Sequence, residues 1–387
     1  MAAGLISPVG LPLEEAVERD STGHGHAAGR ARRARTAGGE AAAILPYIPL
    51  VRAIAIERMP ELLDRMNVRF EDLLRRSGLP QVPLDHDTRF LPLCDVLTIV
   101  DRAARATGSE HFALLLAITA GFDALGDYGR YLKSAPTLLE AIRRASRYIS
   151  WHTLGARLSL TPEGASCVWR YDLVSGIREN RQHAYPFALV LMRDVVRLAA
   201  GPQWFPQELR LEQSRSATYS KALEGAFGQR IRWAAGENAL VLGQPLLALP
   251  LSWVWESTAV PTAAESARAL ASSSPSPDLV GSLRQLIRSF LPAGYPSASL
   301  LAHASGLPLR SFQRALALRG LSFSDLVEQV RFQLAVEMMR DPRLRLVDIS
   351  LELGYSDAAN FTRAFKRWTG QTPRVYRQPH ADAGAPG

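Results

Sequence analysis

The segment LVDISLELGYSDAANFTRAFKRWTGQTPRVYR, residues 346–377, carries the most informative pattern in this 387-residue chain. It predicts two short helices separated by a tight turn at Gly354, because glycine readily adopts the left-handed conformation that follows a helix end. Ser356 and Asp357 offer side-chain oxygens to the free N–H groups at the start of the second helix. That helix has an apolar stripe at helical spacing, formed by Phe361, Ala364, Phe365 and Trp368. The pattern is typical of a helix-turn-helix, and the alternative is an ordinary amphipathic helix.

A second segment, SASLLAHASGLPLRSFQRALALRG at residues 297–320, repeats the same plan. Gly306 takes the turn position, and Leu309, Phe312 and Leu316 form the stripe. One departure is Pro308, which stands where a capping Ser or Thr is expected but suits a first helical position. Residues 322–340 predict a connecting helix of roughly 17 residues, about 25 Å long. Such a spacer suits two helices that enter major-groove segments about one turn, ~34 Å, apart. Because a repeat is harder to produce by chance than one motif, it favours the helix-turn-helix interpretation.

The run GYSDAANFTRAFKRWTGQTPRVYR, residues 354–377, resembles the signature of the AraC/XylS family of bacterial transcription regulators. The resemblance extends over residues 279–377, about a quarter of the chain, and the motif is highly specific. It implies a C-terminal domain of two helix-turn-helix units joined by a long helix. It also implies an N-terminal domain that senses a small molecule or mediates dimerisation.

Positions in this motif identify candidate DNA contacts. The resemblance implies that base edges are reached by Arg310, Gln313 and Arg314 in the first unit and by Ala359, Asn360 and Arg363 in the second. Phosphates would be neutralised by Lys366, Arg367 and Arg374. Ala359 departs towards a small apolar side chain that can contact only a thymine methyl group, so we expect the second unit to read fewer bases.

Charge supports a nucleic-acid partner. The net charge is +8, and residues 279–379 hold 14 Lys and Arg against 7 Asp and Glu, which leaves 31 against 30 elsewhere. Nearly the whole excess therefore lies on the repeated segments, as expected of a phosphate-binding module. We see no transmembrane run and no convincing signal peptide. The two cysteines form neither a metal pattern nor a disulfide framework, which predicts a cytoplasmic protein with no membrane contact.

The pattern predicts an α+β N-terminal regulatory domain followed by an all-α C-terminal domain. We expect a disordered tail at residues 1–44, a regulatory domain at 45–257, a linker at 258–278, the double helix-turn-helix domain at 279–379 and a tail at 380–387. Within the regulatory domain we predict helices over residues 51–66, 70–76, 92–106, 111–120, 137–151, 181–200 and 217–227. A β-hairpin is predicted over residues 155–173, with short strands at 208–213, 231–234 and 239–242. This order is similar to the mostly helical, arabinose-binding-like regulatory domain of AraC relatives.

Polar residues near two predicted helix ends form a candidate effector pocket: Trp151, His152, Arg178, Arg181, His183 and Tyr185. Arg can clamp a carboxylate bidentately, so these residues could hold an anionic or aromatic effector. The alternative is surface charge and packing around a helix start. The domain shows no P-loop, nucleophile elbow or H-E-x-x-H motif, so we predict no catalytic group, no metal and no cofactor.

The sequence therefore predicts a non-enzymatic, sequence-specific regulator that binds double-stranded promoter DNA. The resemblance implies activation, contact with RNA polymerase and control by an unknown small-molecule effector, and homodimerisation stays open. Two other classes remain: an enzyme localised by its DNA-binding domain, as in AraC-like DNA-repair methyltransferases, and a ligand-free architectural protein. The enzyme class needs a reactive thiol, whereas Cys94 and Cys167 lie outside a recognisable active-site motif on segments expected to face the core.

Overall fold

The structure, a computed structural model, describes residues 46–84, 88–174, 176–251 and 263–381. The predicted tail at residues 1–44 lies outside the described residues, as do residues 382–387. An α+β part precedes an all-helical part, which confirms the predicted fold class.

The N-terminal part contains short strands and longer helices. The strands are β1 (Leu50–Arg52), β2 (Phe90–Pro92), β3 (Ala156–Glu163), β4 (Ser166–Leu173), β5 (Glu208–Arg210), β6 (Ile231–Arg232) and β7 (Ala239–Gly243). The helices are α1 (Met59–Arg65), α2 (Phe70–Ser77), α3 (Leu93–Thr107), α4 (Phe112–Ala120), α5 (Gly126–Lys133), α6 (Leu138–Tyr148), α7 (Ala184–Ala200), α8 (Ala217–Phe227) and α9 (Ala263–Ser272).

Five of the strands form one sheet in the order β3-β4-β7-β5-β6. Its neighbours run antiparallel except β5 and β6, which are parallel. The hairpin predicted over residues 155–173 is confirmed as β3 and β4, with Gly164 in its turn at φ +60°. On β4, alternation directs Trp169 and Tyr171 into the core, and Trp169 is fully buried.

Helices α4 and α7 pack together in the domain core. Helix α4 is apolar around most of its circumference, and Leu114, Leu116 and Ala117 are buried. In the described part of the chain, Phe112–Lys133 is the segment long and apolar enough to cross a membrane, and 56% of its most apolar window is buried inside the fold. A 3₁₀ turn interrupts this segment at Gly121–Leu125. Its apolar side chains therefore serve as core, as in many helices buried in a protein interior.

The helix predicted over residues 51–66 is wrong in its first half. Residues Leu50–Arg52 form β1, which pairs with β2, and a 3₁₀ turn, Ala53–Ile56, precedes α1. A short apolar run buried on both sides does not distinguish strand from helix, so its periodicity was uninformative.

Two helices of the N-terminal part were not predicted. Helix α5 follows α4 after the 3₁₀ turn Gly121–Leu125, and α9 lies inside residues 258–278, where a linker was expected. Helix α9 packs against α5 and buries Leu270. Its alanines favour a helix, although the Ser and Pro residues around it suggested irregular chain.

The C-terminal part is all-helical. Its helices are α10 (Leu279–Phe290), α11 (Ala298–Ala304), α12 (Leu309–Ala317), α13 (Phe323–Met339), α14 (Leu346–Glu352), α15 (Ala358–Thr369) and α16 (Pro373–Ala381). The connecting helix α13 has 17 residues, or about 25 Å, and a capping box of Ser322 and Asp325 starts it.

Both predicted turns are confirmed. Gly306, between α11 and α12, has φ +64°, and Gly354, between α14 and α15, has φ +70°. Around Gly306 a Cβ would meet nothing within 4 Å, whereas at Gly354 it would lie 2.5 Å from the carbonyl oxygen of Leu291. The second turn is therefore held close to the backbone that follows α10.

The predicted apolar stripes are also confirmed in their main residues. Phe312 and Leu316 of α12 and Phe361 and Phe365 of α15 are almost completely buried. Leu309 differs from the prediction, since it lies at the start of α12 and is 39% exposed. Burial of these faces leaves the opposite face of each helix to solvent.

Candidate nucleic-acid interface

The outer face of α12 presents unrestrained polar side chains. Arg310, Gln313 and Arg314 are all exposed, and none of their side chains forms a hydrogen bond or ion pair within the described chain. Arginine and glutamine can each make bidentate contacts to base edges when their donors are available. The arrangement therefore offers the hydrogen-bonding capacity of these three side chains to an external partner.

The outer face of α15 is organised differently. The Asp357 carboxylate accepts a hydrogen bond from the Asn360 backbone N–H at 2.7 Å, and this bond lowers the pKa of Asp357. The amide of Asn360 bonds the Asp357 carboxylate at 2.6 Å, and its oxygen accepts from Arg363 at 2.5 Å. Ala359 is exposed beside this chain of bonds. The second face is consequently preorganised by its own side chains.

The predicted phosphate contacts are all exposed but not equally available. Lys366 on α15 and Arg374 on α16 have no ion-pair partner in the described chain. Arg367 donates to Glu328 of α13 at 2.7 Å, and the indole of Trp368 lies 3.5 Å from the same carboxylate. A phosphate would have to compete with Glu328 for Arg367.

A buried arginine that the sequence did not single out supports the second turn. Arg331 of α13 donates to the Gly354 carbonyl oxygen at 2.9 Å. Its guanidinium lies 4.1 Å from the ring centre of Tyr355 and 5.0 Å from that of Tyr295. These contacts fix the loop between α14 and α15 against the connecting helix.

The predicted effector residues are not brought together at one rim. Trp151 is half-buried and stacks on Tyr148 with ring centres 4.1 Å apart, and Arg178 is exposed. Arg181 bonds the Tyr185 hydroxyl at 2.5 Å and the Asp172 carboxylate at 3.1 Å. The two histidines, His152 and His183, instead line an internal cavity.

This cavity lies between α3, α4, α5, α6, α7 and the sheet. It has a volume of about 100 Å³, and its wall is mainly aliphatic and aromatic. The ring of His152 is engaged in the wall, with Nδ1 2.8 Å from the Thr153 hydroxyl and Nε2 3.0 Å from the Ala124 carbonyl oxygen. A second, more polar cavity of about 200 Å³ shares Ala113 and His183 with the first. The residues that line these cavities could not be predicted from the sequence, because each helix or strand contributes only a few of them.

The cavity wall is continuous with contacts to the helix-turn-helix domain. On α3, Leu93 and Val96 line the cavity, while Asp95 lies 3.4 Å from His303 of α11. Burial raises the pKa of Asp95, and His303 opposes this effect. Just before β2, Arg89 forms an ion pair with Glu352 of α14. One short region of the N-terminal part therefore touches both helix-turn-helix units.

Backbone bonds strengthen the same junction. The Phe90 N–H donates to the Ser289 hydroxyl at 2.8 Å, and the Ile48 N–H donates to the Ser282 hydroxyl at 3.3 Å. Both serines lie on α10 and are buried. Strand pair β1–β2 is thus attached to the first helix of the C-terminal part.

The cysteines differ in exposure. Cys167 is buried on β4, but Cys94 is exposed at the start of α3, which corrects the expectation that both face the core. Desolvation and the carboxylates of Asp95 and Glu179 raise the pKa of the Cys94 thiol. A raised thiol pKa reduces the thiolate fraction that nucleophilic chemistry requires.

A duplicated helix-turn-helix with a basic outer surface, attached to an α+β domain that encloses a cavity, defines a DNA-binding regulator. Residues 68–251 match the arabinose-binding domain of AraC transcription regulators, and residues 301–379 match a helix-turn-helix domain. The chain belongs to the AraC/XylS family of transcription regulators.

The chain is similar to several individual proteins. The chain is 26% identical over 332 residues to the HTH-type transcriptional regulator VirS of Mycobacterium tuberculosis. The matched region spans 85% of this chain and 96% of VirS. It is 37% identical over 90 residues to the ornithine utilization regulator of Pseudomonas aeruginosa, covering 22% of this chain and 26% of that protein. The crystal structure of CdpR from Pseudomonas aeruginosa aligns with 80% of this chain and 96% of its own, at 21% identity and a TM-score of 0.36.

Proposed function

We propose that the protein reads two adjacent major-groove segments of double-stranded promoter DNA, one with α12 and one with α15. The observation that supports this most directly is the duplicated Gly turn, which in each unit leaves a helix with one buried apolar face and one exposed polar face. Helix α13, about 25 Å long, separates the units by a length compatible with successive grooves on one DNA face. The excess positive charge of residues 279–379 supplies the attraction to phosphates.

The residue roles follow from position and exposure. We assign base contacts to Arg310, Gln313, Arg314, Ala359, Asn360 and Arg363, and phosphate contacts to Lys366, Arg367 and Arg374. Residues 45–257 together with α9 act as the regulatory domain, the rest of residues 258–278 as the connection, and residues 279–379 as the DNA-binding domain. In this proposal the chain acts in the cytoplasm as a regulator rather than as an enzyme.

The N-terminal domain controls DNA binding through a small-molecule effector, and pairing with a second copy remains an additional route. Support comes from α3 and β2, which link the cavity wall to His303 and Glu352. A ligand that favours one arrangement of α3 would shift how firmly the two units are held. Activation through contact with RNA polymerase is the proposed output.

DNA binding is tested by genome-wide recovery of DNA bound to the intact protein, followed by titration of the best site at two salt concentrations. We expect a few sharp sites with paired half-sites near one operon. Replacement of the bases of either half-site should weaken binding. Broad binding that collapses with salt would mean that the helices contact mainly backbone, and the architectural alternative would replace this proposal.

Interdomain control is tested with the matched pair Glu352→Gln and Asp348→Asn. Both changes remove one negative charge from α14, but Glu352 pairs with Arg89 across the domains, whereas Asp348 pairs with Arg345 beside it. We expect Glu352→Gln to change operator affinity several-fold more than Asp348→Asn in the full chain. Equal changes would show that only charge matters, and the Arg89 contact would then have no role in control.

A further inference from the structure

We propose that the internal cavity binds a neutral, mainly apolar small molecule that accepts a hydrogen bond from the indole N–H of Trp169. This inference rests on the proposed effector control and adds the chemical class of the effector. The sequence suggested an anionic or aromatic effector, and this inference departs from the anionic alternative.

The wall of the cavity sets its preference for apolar groups. Aliphatic side chains of α3, α4 and α7 enclose it, among them Leu97, Leu116, Leu191 and Val195. Among the described residues that form the wall there is no Lys, Arg, Asp or Glu. An unpaired carboxylate or ammonium group placed here would lose its hydration without gaining a counter-charge, so the site disfavours charged ligands.

Trp169 supplies the second observation. Its side chain is fully buried in the wall, and within the described chain its Nε1–H has no hydrogen-bond partner. The neighbouring wall residue Tyr171 likewise shows no partner for its hydroxyl among the described residues. Buried donors are usually satisfied, because leaving one without an acceptor costs the hydration that it had in water. A ligand carbonyl or ether oxygen would satisfy this donor.

The histidines of the wall do not offer a free hydrogen-bond donor to a ligand. Both ring nitrogens of His152 already lie within hydrogen-bond distance of Thr153 and Ala124. His183 Nε2 lies 3.3 Å from the Asp101 carboxylate. Hydrogen bonds from His183 and Arg105 lower the pKa of Asp101 despite its burial, so the carboxylate stays ionised beside His183. The histidines therefore shape the cavity, and Trp169 provides the directional bond.

The adjoining polar cavity extends the site. It shares Ala113 and His183 with the apolar cavity and adds Gln182, Gln213 and Ser214. Glu110, which accepts a hydrogen bond from Ser216 at 3.0 Å, also lines it and would repel an anionic end group. A protein cavity of ~150 Å³ holds benzene, so the apolar cavity of about 100 Å³ is too small for a longer ligand. Such a ligand would occupy both cavities, with its neutral end near the side-chain amides of Gln182 and Gln213.

Ligand binding at this site would affect the contacts that hold the DNA-binding domain. Val51 of β1 lines the cavity, and Ile48, just before β1, donates its N–H to the Ser282 hydroxyl of α10 at 3.3 Å. On α3 the lining residues Leu93 and Val96 flank Asp95, the partner of His303. The ligand thus contacts both segments that hold the two domains together.

The test uses the intact protein and three molecules with the same chain length: octan-2-one, octanoate and octylammonium. Binding is measured at pH 7 by thermal shift and by quenching of tryptophan fluorescence, without DNA. We expect octan-2-one to bind at least tenfold more tightly than octanoate, which both cavities disfavour, and more tightly than octylammonium, which the apolar cavity disfavours. Trp169→Phe, measured by thermal shift, should weaken octan-2-one binding several-fold by removing the donor while keeping an aromatic wall.

A filling variant separates the cavity from general surface binding. Ala188→Leu places a larger side chain in the wall on α7, and Ala200→Leu is the control at the end of the same helix, outside the wall. Ala188→Leu should abolish octan-2-one binding, and Ala200→Leu should preserve it. Both variants must retain the wild-type unliganded melting temperature within a few degrees; otherwise Ala188→Ser, which adds only one oxygen atom to the wall, replaces the filling change and should weaken binding.

Any of four results would overturn the inference: no binding of octan-2-one, tighter binding of either charged molecule, equal binding of all three molecules, or unchanged octan-2-one binding in both Trp169→Phe and the cavity variants. Operator binding by the ligand-free protein is measured in parallel. If the operator is bound and octan-2-one is not, the ligand class is wrong and the proposed DNA-binding function stands. If octan-2-one binds at the cavity but operator affinity stays constant, effector control fails while the ligand site stands.

Discussion

The two helix-turn-helix units share a backbone plan but hold their outward side chains differently. On α12, Arg310 and Arg314 project from a helix that begins after Pro308 without a side-chain cap. On α15, Asp357 caps the helix and Asn360 links this cap to Arg363. The side-chain donors of the first unit therefore stay available, whereas part of the polar face of the second unit forms hydrogen bonds within α15 itself.

This difference separates two requirements of a DNA reader. Free side chains can adapt to several base arrangements, but ordering them on binding costs conformational entropy. Side chains held in place lose less entropy but must exchange or share their existing partners. We therefore expect α12 to contribute more to sequence discrimination and α15 to contribute more to positioning.

The largest effect should come from the turn glycines. Gly354→Ala forces a left-handed alanine and a Cβ within 2.5 Å of the Leu291 carbonyl oxygen, a combined cost of about 2–4 kcal/mol. Gly306→Ala meets open space and should cost only the backbone strain, about 1–2 kcal/mol. Hydrogen exchange of peptides from α12 and α15 measures each local stability. Equal losses would remove this distinction between the turns.

The next effect concerns base reading. Arg314→Ala should cost about 1–3 kcal/mol at the cognate operator, because an unrestrained bidentate donor is lost. Arg363→Ala should cost about 1 kcal/mol, near the lower limit, because Arg363 already shares its donors with Asn360. Fluorescence anisotropy against operators changed at single base pairs measures both. A larger loss for Arg363 would reverse the proposed division of roles.

A smaller effect should follow from releasing Arg367. Glu328→Gln removes the carboxylate that holds this arginine, so one more phosphate contact becomes available. The slope of log affinity against log salt should steepen by about 0.9, with little change in base preference. Gln329→Glu, at the neighbouring exposed position of α13, controls for the general effect of charge on DNA binding. It adds a negative charge without releasing Arg367, so it should weaken binding. An unchanged slope in Glu328→Gln would mean that Arg367 does not approach the DNA.

The smallest effect should come from the helix starts. Pro308→Ser gives α12 the side-chain cap that it lacks and should stabilise it by about 0.5–1 kcal/mol. Asp357→Ala removes the cap of α15 and should increase hydrogen exchange in its first turn. If Pro308→Ser instead destabilises α12, the rigidity of proline contributes more there than a cap.

Sequence alone predicted the second unit well because its signals are local. Gly354, Asp357 and the stripe from Phe361 each act within a few residues, and all three have the predicted position. The same reasoning found the first unit, the connecting helix and the β3–β4 hairpin. Short elements and elements with a weak sequence pattern, such as β1 and α9, were not predicted correctly.

The cavity and the domain junction could not be predicted because they depend on residues distant in sequence. In the sequence, Trp169 could be interpreted only as an alternating strand residue. Its place in the cavity wall and its unsatisfied N–H are evident only in the folded structure. Arg89 and Glu352 are 263 positions apart. No local pattern indicates such a partner, so the proposed effector residues remain a prediction that binding experiments must test.

The buried Arg52 limits where the protein can be divided. Its side chain donates to the Trp151 carbonyl oxygen at 2.8 Å and to both the carbonyl and hydroxyl oxygens of Ser273 at 3.1 Å. An N-terminal fragment that stops near residue 251 would remove the Ser273 acceptors and leave this inaccessible cation less well satisfied. A fragment that continues through residue 274 retains them together with α9. Recombinant dissection of the regulator should therefore treat α9 as the last helix of the N-terminal domain.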